Sequence, residues 1–100
     1  MARQRKQLIG GRYRLDERLG RGGMGSVYRA FDTSRKRTVA LKLLEHAKDD
    51  ERQARSELRF RREFATLTAH RHPRIVEVFG FGVDPEGPYY TMELMNGEDQ

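Results

Sequence analysis

Gly20-Arg21-Gly22-Gly23-Met24-Gly25-Ser26-Val27, followed by Val39-Ala40-Leu41-Lys42, decides how this chain folds. The first stretch is G-x-G-x-x-G with a valine two residues on. The second ends an apolar run on a lysine. Glycines let a backbone approach phosphate oxygens closely, so main-chain N–H groups can donate to them with no side chain in the way. A lysine on a neighbouring strand supplies a cation for the same phosphates. Four glycines in the six residues from Gly20 to Gly25 exceed what a plain hairpin turn needs. Together the two stretches predict a backbone flap over nucleotide phosphates with a lysine beneath it.

The context on either side sharpens this. Tyr13, Leu15, Glu17 and Leu19 alternate with charged residues, the period of a strand. After the glycines, Ser26 to Phe31 resumes as a strand, with Val27, Arg29 and Phe31 on one face and Tyr28 and Ala30 on the other. Asp32-Thr33-Ser34 is turn chemistry, and Thr38 to Leu44 is a third strand with Lys42 on the face of Ala40 and Leu44. A dinucleotide-binding glycine turn leads into a helix and wants an acid about 20 residues later. Here a strand follows, and a lysine arrives 17 residues after Gly25. A P-loop would need Gly-Lys-Ser/Thr at the turn itself, which is absent. Lys42, a cation on a half-buried apolar face, calls for an acidic partner, because unpaired burial is costly.

Asp49 to about His70 has helical periodicity, with acids Asp49, Asp50 and Glu51 at its start. Leu58, Phe60, Phe64 and Leu67 form the expected apolar stripe, with Glu63 three residues after Phe60 and four before Leu67. Pro73 ends the helix and pushes His72 toward an extended conformation. Ile75, Val76, Val78, Phe79, Phe81 and Val83 predict a buried strand, Asp84-Pro85-Glu86-Gly87-Pro88 a turn, and Tyr89 to Met95 a fifth strand closed by Asn96-Gly97. The expected class is α+β: a five-stranded antiparallel sheet with one main helix.

Composition narrows the alternatives. One hundred residues with 35% charged side chains build one modest core. With no cysteine, disulfides and cysteine-based zinc sites are excluded. His70-Arg71-His72, with only His46 besides, lacks a usual metal ligand set, so no metal site is expected. The net charge of +5 is concentrated early: Arg3, Arg5, Lys6 and Arg12 precede any acid. A solvated basic tail over residues 1–11 explains that better than a nucleic-acid site. The arginines from Arg52 to Arg62 are interleaved with Glu51 and Glu57, which suits a solvated or docking face. No apolar run approaches the roughly 20 residues of a membrane helix, and Leu8-Ile9 is too short for a signal core.

At this point the chain resembles the N-terminal lobe of protein kinases, in particular the eukaryotic-type serine/threonine kinases of bacteria. The residues that carry the likeness are Gly20 to Tyr28, Val39-Ala40-Leu41-Lys42, Phe60-Arg61-Arg62-Glu63, His72-Pro73-Arg74-Ile75-Val76 and Tyr90-Thr91-Met92-Glu93-Leu94. It covers residues 12–97, with 98–100 beginning a connection to a second lobe. The resemblance implies that Lys42 grips the α- and β-phosphates of ATP and pairs with Glu63. It implies a nucleotide roof of Leu19, Gly20, Arg21, Gly22, Gly23, Met24, Gly25, Ser26 and Val27. Val27 and Ala40 would sandwich the adenine, Met92 would stand behind it, and the Glu93 carbonyl and Met95 N–H would meet its edge. Leu67 and Val78 would join the hydrophobic spine. The catalytic-loop aspartate, the magnesium-holding aspartate and the activation segment belong to a C-terminal lobe that these residues do not contain. The expectation is therefore one half of an ATP-dependent protein serine/threonine kinase, inactive alone, with magnesium required only in a longer parent. The alternative is a lobe-only regulatory or kinase-binding module. Protein substrates, a homodimer of such lobes, a cytoplasmic location and membrane attachment only through a later region complete the expectations.

Overall fold

Five strands and one helix make up the regular structure among the described residues, 8–22, 25–69 and 77–94, of this computed structural model. The strands are β1 (Tyr13–Gly22), β2 (Gly25–Asp32), β3 (Arg37–Leu44), β4 (Val78–Asp84) and β5 (Gly87–Met92); helix α1 spans Asp50–Ala69. All pairings are antiparallel, in the order β1-β2-β3-β5-β4. The chain leaves β3, crosses by the helix to the far edge, and returns through β5 to lie beside β3. This is the α+β sheet that the sequence predicts.

Alternation along β3 divides the core. Val39, Leu41 and Leu43 pack on one face with Ala30, Tyr13, Tyr89 and Ile9. Leu44 packs on the other with Phe60 and Tyr90, flanked by Phe64, Leu67, Phe81 and Met92. Helix α1 covers this second face. Asp49 caps it: its carboxylate accepts the Arg52 N–H at 2.8 Å, and its carbonyl accepts the first helical bond from Gln53. Phe60 is fully buried, and its ring lies against Tyr90 and Phe81 with centroids 5.1 and 6.1 Å away.

Several expectations need correction, the fifth strand among them, since it ends at Met92 with Glu93 and Leu94 outside it. Residues up to Gly11 do not all behave as a tail, since Ile9 is 1% exposed within the core. Gly10 and Gly11, both at positive φ, turn the chain so that Ile9 and Tyr13 exchange backbone hydrogen bonds. Leu58 is 52% exposed, not part of the buried stripe. Two residues before Phe60 is about 200° around a helix, which puts it on the opposite side. The fourth strand is an edge strand and not a buried one: Val78, Phe79 and Phe81 are half-buried and Val83 is 64% exposed. The hairpin between β4 and β5 is tighter than expected: Asp84 and Gly87 pair, leaving Pro85 and Glu86 as the turn. Pro73, Ile75, Val76, Asn96 and Gly97 lie outside the described residues.

The turn from β2 to β3 shows how the basic start is used. Asp32 is 2% exposed; Arg12 forks onto both its oxygens at 2.8 Å, and the N–H groups of Ser34 and Arg35 donate to it. Arg12 thus closes this turn through a buried carboxylate instead of belonging to a solvated run.

Candidate functional site

Strand register brings the site together. In the ladders around β3, Val27 lies opposite Lys42, Ala40 opposite Met92, and Lys42 opposite Tyr90. With a side-chain period of two, Val27, Ala40, Lys42, Met92 and Tyr90 therefore share the face that α1 covers in part. Ala40 is buried, while Val27 and Met92 remain half-buried. Leu19, 42% exposed, leaves further apolar surface open nearby on β1.

Lys42 reaches across to the helix. Its Nζ donates to Glu63 Oε1 at 2.9 Å, so the predicted pair is formed. Glu63 arrives there because it lies on the same side of α1 as Phe60, Phe64 and Leu67, which bury against the sheet. The same Oε1 accepts a second hydrogen bond, at 2.6 Å, from the Tyr90 hydroxyl. Burial pushes the Glu63 carboxyl toward the neutral form, but the bonds from Tyr90 and Lys42 outweigh it and leave its pKa lowered. Glu63 is thus held as an anion. The Tyr90 hydroxyl is pushed the opposite way, by burial and by the carboxylate it serves.

The glycine motif folds differently from a simple loop. The ladder between β1 and β2 continues through Gly20–Val27, Arg21–Ser26 and Gly22–Gly25. Gly20, Arg21, Gly22 and Gly25 are therefore strand residues, with Gly22–Gly25 the last pair of the ladder; Gly23 and Met24 lie outside the described residues. The described glycines play two roles. A side chain at Gly20 or Gly22 would meet nothing within 4 Å, which leaves this stretch of backbone open to a ligand. A Cβ at Gly25 would lie 2.5 Å from the Leu43 carbonyl oxygen, so this glycine permits close packing of the hairpin onto β3.

Glu45, just past β3, is a site residue that sequence reasoning missed. Arg21 forks onto its carboxylate at 3.0 and 3.3 Å, and the buried Ser26 hydroxyl donates to it at 2.8 Å. These bonds, Arg21 first, lower the Glu45 pKa. Glu45 ties both strands of the glycine hairpin to the strand that carries Lys42. A lone acid after an apolar strand gives little signal of such a role. At the other end of the site, the Glu93 N–H donates to the Glu77 carbonyl at 2.8 Å, fixing the start of the segment after β5. Met95 lies outside the described residues.

Residues 13–100 match the model of the protein kinase domain family. The chain belongs to that family. It is 44% identical over 96 residues to the serine/threonine-protein kinase PksC of Streptomyces coelicolor, covering 92% of this chain and 17% of that one. It is 42% identical over 89 residues to PknE of Mycobacterium bovis, covering 89% of this chain and 15% of the relative. With pkn2 of Myxococcus xanthus the figures are 40% over 91 residues, 91% and 11%. The chain thus spans less than a fifth of the length of these relatives. Among solved structures, one titled "PpkA-294 apo form" superposes with a TM-score of 0.69 over 86% of this chain and 36% of that one, at 24% identity, which supports the fold.

Proposed function

We propose that these residues form the ATP-binding lobe of a serine/threonine kinase that transfers the γ-phosphate of ATP to protein hydroxyls. The observation that carries this is the Lys42–Glu63 pair, formed on the open face beneath the glycine hairpin. Lys42 has three N–H donors. One is given to Glu63, and the others remain for phosphate oxygens. Backbone N–H groups around Gly20 and Gly22 cover the phosphates from above, and Val27, Ala40 and Met92 offer the adenine an apolar roof and back wall. This lobe contributes position and charge, the main sources of catalysis in phosphoryl transfer.

Magnesium fits poorly to these residues. Glu63 Oε1 already receives two donors, and the described residues hold no cluster of three or more metal-binding side chains. Its ligands and the base for the substrate hydroxyl come, in this proposal, from a second lobe. Catalysis then takes place in the cytoplasm, where ATP is available, and any membrane anchor lies outside these residues.

Transfer of labelled γ-phosphate to a protein substrate tests the proposal in the full-length protein. Lys42→Met should reduce it by at least about 100-fold, since removing one preorganised charge-stabilising group typically costs 10²–10³ in rate. Undiminished transfer by that variant would defeat the assignment.

A further inference from the structure

We propose that Tyr90 is a positioning residue that holds Glu63, and with it helix α1, against Lys42 before any nucleotide arrives. The proposal rests on the nucleotide-binding role given above to Lys42 and adds a third member to the pair. Tyr90 lies on β5 directly opposite Lys42 on β3, so both side chains leave the same face of the sheet side by side. They converge on one atom, Glu63 Oε1, at 2.6 and 2.9 Å.

The two donors differ in kind. Lys42 ends a flexible stem, is itself needed by the phosphates, and forms an ion pair whose acid is 36% exposed. Lys42 itself is 15% exposed, so solvent screens the pair only in part, but its cation is shared with the phosphates. Tyr90 is 2% exposed, and its ring is fixed against Phe60 and Phe64 with centroids 5.1 and 5.6 Å away. Its hydroxyl makes a short bond to a carboxylate, the strong kind of hydrogen bond, from a group with little conformational freedom to lose. Phe60 and Phe64 flank Glu63 on α1, so the aromatic contacts set the distance of the helix from the sheet. The hydroxyl then fixes its rotation, which keeps the carboxylate beside Lys42 while no phosphate is present to order the lysine.

A buried tyrosine could also use the nearest acceptor merely to satisfy its hydroxyl. Tyr90→Phe separates the two roles, because it keeps the ring packing and removes only the bond. The experiment is amide hydrogen exchange of α1 around Glu63 in the full-length protein, with and without Mg-AMP-PNP. The nucleotide-free variant should exchange about tenfold faster than the unsubstituted protein, the order expected for one bond to a charged group. Bound nucleotide should restore most of the protection, because it recruits Lys42 and so returns Glu63. In the unsubstituted protein nucleotide should change α1 little.

Equal exchange in the two nucleotide-free proteins overturns the proposal. Faster exchange that nucleotide leaves unrepaired, while the hairpin around Val27 is still protected by it, also overturns it and reduces Tyr90 to a core residue. If nucleotide protects the hairpin in neither protein, the nucleotide-binding assignment itself falls, and the positioning role for catalysis falls with it.

Discussion

Gly25→Ala separates two roles within one glycine motif. The new methyl carbon would sit 2.5 Å from the Leu43 carbonyl oxygen, 3.2 Å from its carbon and 3.4 Å from Leu44 Cα. All three are backbone atoms of β3, which is held by ladders to β2 and β5. They cannot swing aside as a side chain would, so the backbone at Gly25 has to move off β3 by nearly an ångström. Overpacking of this sort costs about 1–3 kcal/mol. Loss of glycine entropy in the unfolded chain returns about 0.4–1 kcal/mol. The net loss is about 1–2 kcal/mol, which in a domain the size of a whole kinase lowers Tm by roughly 2–8 °C. Gly20→Ala and Gly22→Ala meet no neighbour, and neither glycine has positive φ, so the same entropy return should leave their Tm unchanged or raise it by up to about 4 °C. All three should weaken ATP binding, the last two because a methyl group enters the space left for phosphate. Thermal scans of the three variants in the full-length kinase, alone and with Mg-ATP, make the comparison. Gly25→Ala as stable as Gly22→Ala would refute the packing argument.

Two further perturbations test how the lobe holds the site. The Asp32 carboxyl, held at about 2 against an ordinary 3.8, chiefly by Arg12 and against the effect of burial, should make Asp32→Asn about 2 kcal/mol less stable at pH 7. A depressed pKa stabilises above its unfolded value, so the difference should hold down to about pH 4 and fade toward pH 2; urea denaturation across that range would contradict this by showing no difference at pH 7. Glu45→Gln should loosen the glycine hairpin, speeding amide exchange at Ser26 and Val27 and raising KM for ATP about threefold, on the scale of a partly exposed charged latch. Because Arg21 and Ser26 lower the Glu45 pKa, the parent should keep this latch at neutral pH and lose it only in acid; hairpin exchange unchanged by the substitution would show that the latch is idle.

Most of the fold was legible because period and turn chemistry agreed. The near-continuous apolar run from Val39 to Leu44 suits a strand buried on both faces, and the strand's side-chain period puts Lys42 on the face of Ala40 and Leu44, where Glu63 waits. The spacing to Phe60 and Leu67 puts Glu63 beside the apolar stripe, and the resemblance to kinases is what marks it as the partner of Lys42. What stayed hidden depended on contacts between distant segments. Ile9 reads as part of a basic tail until the Gly10-Gly11 turn returns it to the sheet. Tyr90 reads as one aromatic in a strand until the helix brings a carboxylate to its hydroxyl. Glu45 reads as a surface acid, although its role depends on which residues the glycine hairpin sets above it. Arg12 and Asp32 are 20 residues apart, and nothing local indicates that they close one turn. Gly25 reads as one more glycine of the phosphate motif, and nothing local shows that its missing side chain also makes room for Leu43.

The central claim is that Lys42 faces the phosphates of bound ATP. Acylation of lysines by a reactive ATP analogue, mapped by mass spectrometry in the full-length protein with and without competing Mg-ATP, tests it most directly. Lys36 and Lys48, exposed at other places on the lobe, serve as internal controls. The account predicts that Lys42 is labelled and that ATP protects it, while the labelling of Lys36 and Lys48 does not respond. Labelling of Lys42 that ATP leaves unchanged would contradict the account.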